Sequence, residues 1–173
     1  MTAKQFQGVA KRHLSRHFGE LVVLEWPISR GATDVFAPDD TQYSPRIDIA
    51  VNTIGTAPGN HAREIAAFLD RRAPPRLMAL LNRLSTNANP RCSLAIEVVF
   101  SGSSKHILGD ITNASMMGLY GLVVVKDEER ILEKAKRIFE YVKRIIEVGK
   151  APANLFQNTR ILSASEFLHL FED

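Results

Sequence analysis

The chain has 173 residues, 45% of them apolar and 24% charged, with a formal net charge of +3. That balance fits one folded unit with a sizeable core, and it excludes a disordered tail or a strongly basic architectural protein. The single cysteine, Cys92, rules out an internal disulfide or a multi-thiolate zinc site and reads as a small core residue. No stretch approaches the ~18 apolar residues of a membrane span, and the first residues lack the apolar run of a secretion signal, so a soluble, cytoplasmic protein is expected.

Residues 3–18 carry Phe6, Val9, Ala10, His13, Leu14 and His17 near helical spacing, and Gly19 ends that helix. The β-branched run at 21–26 predicts a strand that Pro27 stops. Residues 31–42, with Pro38, Asp39 and Asp40, read as a loop or hairpin connection. A strand over 43–52 follows, closed by Gly55, Pro58 and Gly59. Helices are expected over 61–72 and 76–84, split by Pro74 and Pro75, with a turn over 87–90.

A second strand over 93–100 leads into a helix that Ser103 or Ser104 can cap and that runs to Met117. Gly118 and Gly121 frame the buried-looking strand 122–125, so a parallel strand-helix-strand crossover is expected there. Asp127 can cap a long helix over 128–148, whose Ile131, Leu132, Ala135, Ile138, Phe139, Val142, Ile145 and Ile146 form one apolar face. A short strand around 160–162 and a capping box from Ser163 to Glu166 complete the order, with no internal repeat and no linker to a second domain.

Two strands place a carboxylate among apolar neighbours. Alternation groups Arg46, Asp48 and Ala50 on one face of the first, and Ala95, Glu97, Val99 and Ser101 on one face of the second. An ionised side chain in such surroundings costs several kcal/mol unless it is paired, protonated or bound to a cation. If the two polar faces adjoin, Asp48 and Glu97 can hold Mg²⁺ or Mn²⁺ through oxygen ligands, with waters and phosphate oxygens completing the shell. An ion pair with Arg46 or Arg91 is the structural alternative.

These residues resemble the PD-(D/E)xK nucleases of the restriction-endonuclease-like fold. The resemblance rests on Pro45-Arg46-Ile47-Asp48, on Glu97-Val98-Val99 after a helical insertion, on the helix that follows and on the strand 122–125. It covers residues 43–125, with the helix 3–18 and Glu25 fitting the upstream part. It implies an α/β fold, a restriction-endonuclease-like mixed central sheet flanked by helices, with residues 1–173 as one domain. It further implies a magnesium-dependent endonuclease, a hydrolase of nucleic-acid phosphodiesters, most naturally DNA.

In that scheme Asp48, Glu97 and Lys105 are the catalytic set, Asp48 and Glu97 ligate the metal, and Glu25, ahead of Glu20, is the auxiliary metal ligand. The chain departs from the pattern two residues after the second acid, where Lys is usual and Val99 stands. Lys105 has two readings: it reaches back over the site, or it is a solvated first-turn residue above an inactive centre that only binds nucleic acid or a protein. His106, Asp110 and Asn113 share one helical face and are candidate substrate contacts.

His13 and His17 have metal-compatible spacing but no accompanying Glu, so half-buried packing is expected of them. The Gly-x-Ser-x-Gly elbow, a phosphate-cradling glycine loop and an aromatic single-strand-binding surface are all absent. Basic residues cluster at Lys11, Arg12 and Arg16, at Arg71, Arg72 and Arg76, and along the long helix, where phosphate contact competes with simple solvation. A homodimer built on the long helix is a further expectation.

Overall fold

The computed structural model describes residues 1–27, 46–54 and 61–172. The expected connection over 31–42, the start of the Asp48 strand at 43–45 and the breakers Gly55, Pro58 and Gly59 lie outside the described residues.

Helix α1 spans Ala3–Phe18 and opens with a capping box in which the Thr2 hydroxyl and the Gln5 side chain each bind the other's backbone. Its Phe6, Ala10, Leu14 and Phe18 are buried. Gly19 ends it with φ +63°, a conformation open to glycine. Strand β1 is Val22–Pro27 and β2 is Arg46–Thr53. Pro27 closes β1 as its last residue, which an edge strand tolerates because that N–H need not join a ladder.

Helix α2 covers Ala62–Arg72 and α3 covers Pro75–Leu81. Pro75 begins α3 instead of merely separating two helices, since the first helical turn has no partner for its N–H. Strand β3 is Cys92–Val99, α4 is Ser104–Met117 with Ser103 as its cap, and β4 is Gly118–Val125.

The two glycines expected to frame β4 lie inside it. A Cβ at Gly121 would sit 2.7 Å from the Ala114 carbonyl carbon, so the missing side chain sets how closely α4 approaches the sheet. Helix α5 spans Glu129–Glu147, β5 is Thr159–Ser163 and α6 is Ala164–His169. The capping box from Ser163 to Glu166 forms as expected.

Asp127 corrects one expectation. It does not cap α5, whose first turn has no side-chain cap. Its carboxylate instead accepts from the Ser165 N–H at 3.1 Å and the Ser165 hydroxyl at 2.8 Å, satisfying a first-turn donor of α6.

The five strands lie side by side in sequence order. The β1/β2 and β2/β3 pairs are antiparallel, while β3/β4 and β4/β5 are parallel, so α4 and α5 are the parallel connections. Alternate residues of β3 and β4 point to opposite faces. Leu94, Ile96, Leu122 and Val124 join α1, α2, α3 and α6 in the larger core. Val99, Val123 and Val125 join α4 and α5 in a second one.

Each buried Phe or Leu removes enough apolar surface to stabilise the fold by about 1.5–3 kcal/mol, so the sheet is held from both sides. Cys92 is fully buried beside Ala50 and Ala95, as expected of a core cysteine. Among the described residues no helix is long and apolar enough to cross a membrane.

Candidate functional site

Strand register brings three acids into line. β1 pairs Leu24 with Ile49 and Trp26 with Ile47, which sets Glu25 opposite Asp48. β2 pairs Ile49 with Ile96, and one step further Asp48 stands opposite Glu97. At that step side chains replace the backbone ladder. The Asp48 N–H donates to Glu97 Oε2 at 3.4 Å, and the Val98 N–H donates to Asp48 Oδ2 at 2.8 Å. Each carboxylate is therefore anchored through one oxygen to the opposite strand.

The carboxylates lie on the sheet face covered by α4, where alternation also sets Val99. Glu97 is 3% exposed, and its Oε1 has no hydrogen-bond partner. Burial pushes the Glu97 carboxyl up to about 9, with the charges of Asp48 and then Asp110 adding to it. The Asp48 N–H and the Asn113 side chain act in the opposite sense. Asp48 is also raised, first by burial and then by Glu25, against the pull of the Val98 N–H. Asp110 is pushed up to about 6 by burial and by Asp48, while His106 favours its ionised form.

No cation relieves this crowding. Arg46, one of the two expected structural partners, ion-pairs at 3.7 Å with Glu25 instead, and both side chains are substantially exposed. Glu25 itself adopts φ +49°, which breaks the β1/β2 ladder beside Asp48. Among the described residues no positive side chain is ion-paired with Asp48 or Glu97.

Helix α4 supplies the rest of the site. Lys105, His106, Asp110, Thr112 and Asn113 line a surface depression of about 460 Å³. Asp110 and Asn113 thus face both the depression and Glu97, while His106 lies one turn before Asp110, its Nδ1 3.2 Å from the Ser103 hydroxyl. The one-face reading of these three residues therefore places them next to the acid pair. Lys105 is exposed on the first turn of α4 and makes no ion pair with the acids among the described residues. Val99 is 1% exposed inside the α4–α5 core.

An all-oxygen pair of carboxylates, forced together and left with an unsatisfied buried oxygen, fits a hard divalent cation. Among the described residues no three His, Cys, Asp or Glu side chains converge closely enough to hold one ion together. Asp48 and Glu97 would therefore be its protein ligands, with waters and substrate oxygens filling the other positions, an arrangement Mg²⁺ favours because it sheds water reluctantly. Glu25 and Asp110 stand outside direct ligation. Glu20 lies exposed on the turn before β1, away from the acid pair.

His13 and His17 are half-buried on α1, as expected, and the His17 ring lies 6.0 Å from that of Phe171. Sequence reasoning missed Asn158, which is buried and ties the end of α4 to the start of β4. Its amide donates to the carbonyls of Ser115 at 2.9 Å and Gly118 at 3.2 Å, and its oxygen accepts from the Ser115 hydroxyl at 2.8 Å. No periodicity or motif marks such a residue before its neighbours in space are known.

Comparison with protein-family models, with curated proteins and with solved structures found no match.

Proposed function

We propose that this chain is a metal-dependent nuclease that hydrolyses phosphodiester bonds of DNA, built as one restriction-endonuclease-like domain over residues 1–173 with a variant PD-(D/E)xK centre. The observation that carries this reading is the Asp48–Glu97 pair: two carboxylates on neighbouring strands, anchored by opposing backbone N–H groups, with Glu97 Oε1 buried and unpartnered. A mixed sheet flanked by helices, with a helix following the second acid, supports the fold assignment.

Asp48 and Glu97 would hold Mg²⁺ or Mn²⁺, and Glu25 would act on the centre through its charge or a bridging water. When bound, the ion supplies a more acidic water and neutralises charge developing on the phosphate. The depression on α4 receives the substrate: Lys105 and His106, exposed on its rim, can contact phosphate oxygens, and Asn113 steadies Glu97.

The test is cleavage of plasmid, single-stranded DNA and RNA in Mg²⁺ or Mn²⁺ by the wild type and by Asp48→Ala and Glu97→Ala. The expected result is metal-dependent cleavage lost in both variants. Equal cleavage by all three proteins removes the assigned centre.

Val99 supports a second reading, in which the fold binds nucleic acid or a protein without cutting, since a core valine leaves the usual lysine position empty of chemistry. Calorimetric titration with Mn²⁺ separates the two. No binding at millimolar Mn²⁺, with salt-sensitive DNA association retained, favours the binding module.

A further inference from the structure

A phosphodiester hydrolase needs a group that holds the attacking water. Val99 is enclosed by apolar side chains of α4 and α5 and offers no polar atom. Lys105 is exposed on the first turn of α4 and engages neither acid among the described residues. Asp110 is placed differently. From the middle of α4 its charge acts on Glu97 and is felt together with that of Asp48, while its side chain also lines the depression that opens to solvent.

Yet among the described residues no three acidic or imidazole side chains come close enough to share one ion. A carboxylate within electrostatic reach of a cation's two ligands, but beyond joint ligation, stands where a cation-bound water would be. An independent observation points into the same space. Glu97 is 3% exposed, and its Oε1 is sealed from solvent with no protein donor.

We propose that Asp110 accepts a hydrogen bond from the attacking water and holds it against the phosphodiester, in the role that a lysine two residues after Glu97 would otherwise fill. This inference rests on the hydrolase reading of the site. In the step, the water oxygen bonds to phosphorus as the bond from phosphorus to the leaving sugar oxygen breaks. One water proton leaves to solvent, and the departing oxygen takes one up from solvent. Asp110 approaches the water from the depression side, opposite the buried ends of Asp48 and Glu97, so it holds the water without displacing either ligand.

The test combines Mn²⁺ titration by calorimetry with steady-state cleavage of plasmid DNA, for the wild type, Asp110→Asn, Asp110→Glu and Lys105→Ala. Asp110→Ser serves as a second variant should Asp110→Asn prove poorly folded by circular dichroism. For Asp110→Asn the expected result is unchanged KM, Mn²⁺ affinity within about 3-fold of the wild type and kcat about 100-fold lower, the loss that a misplaced reacting group produces. Asp110→Glu should recover part of kcat, and Lys105→Ala should raise KM and leave most of kcat.

Full kcat in Asp110→Asn overturns the assignment. So does a loss of Mn²⁺ affinity beyond about 10-fold in that variant, which would make Asp110 a ligand, or a fall in kcat in Lys105→Ala as deep as that in Asp110→Asn. These results separate from failure of the parent reading, because a wild type that neither cleaves nor binds Mn²⁺ refutes the hydrolase site itself.

Discussion

Glu97 makes the protein's stability depend on pH in a direction opposite to that of most carboxylates. Its pKa rises from 4.5 in the unfolded chain to about 9 in the folded one, first because burial penalises the charge and then because Asp48 and Asp110 repel it. Between those two values the folded state binds the extra proton, so stability is fullest below about 4.5 and is lost as pH rises toward 9.

Each pH unit in that window carries about 1.4 kcal/mol per titrating group, so moving metal-free protein from pH 5 to pH 8 removes up to about 4 kcal/mol. For a domain of this size that corresponds to roughly 8–16 °C in Tm. Asp110, pushed up to about 6, contributes in the same sense over the lower part of the range. Asp127, whose pKa is lowered, acts in the opposite sense but only in more acidic solution.

The assay is thermal unfolding in EDTA at pH 5, 6, 7 and 8, followed by circular dichroism. The wild type should melt at falling temperatures as pH rises, and Glu97→Gln, which keeps the shape without the charge, should show most of that slope removed. Millimolar Mn²⁺ at pH 8 should raise the wild-type Tm but leave Glu97→Gln little changed, because a bound cation replaces the proton. A wild-type Tm that is flat or rises from pH 5 to pH 8, or an equal slope in Glu97→Gln, refutes the reasoning.

Val99→Lys should not restore the usual motif. It places an amine in the α4–α5 core, where Val99 is 1% exposed, and should lower stability by about 3–5 kcal/mol in denaturant unfolding. Gly121→Ala puts a methyl group 2.7 Å from the Ala114 backbone, so a loss of about 1–3 kcal/mol and weaker Mn²⁺ binding are expected, since α4 carries Asp110 and Asn113. Asn158→Ala leaves the buried Ser115 hydroxyl and the carbonyls it served without donors or acceptors, and about 2–4 kcal/mol should be lost in urea unfolding. Ser163→Ala breaks the capping box of α6 and should lower stability by about 1 kcal/mol, read as a Tm shift of roughly 2–4 °C.

Local chemistry made much of the fold legible in the sequence. Apolar spacing at 3.6 residues marked α1 and α5, alternation marked β2 and β3, and Gly19, Ser103 and Ser163 marked their caps because each acts within a few residues of itself. The same alternation set Asp48 and Glu97 on the faces they occupy, so the acid pair could be named from the residues alone. The errors fall where a local signal served a distant partner. Asp127 has the right type and place to cap α5, yet its carboxylate goes to Ser165, and Arg46, next but one to Asp48, turns to Glu25.

By itself, then, the sequence determined which residues are helical or extended, which of their faces are apolar, and that two carboxylates interrupt apolar strands. Only the tertiary structure decided that Glu25, Asp48 and Glu97 fall in line across three strands, that α4 brings Asp110 and Asn113 over them, and that Glu97 Oε1 finds no donor. The physical reason is range: propensity and capping act over one turn of chain, whereas strand register, burial and charge repulsion join residues some fifty positions apart, as the Asp48–Val98 bond does.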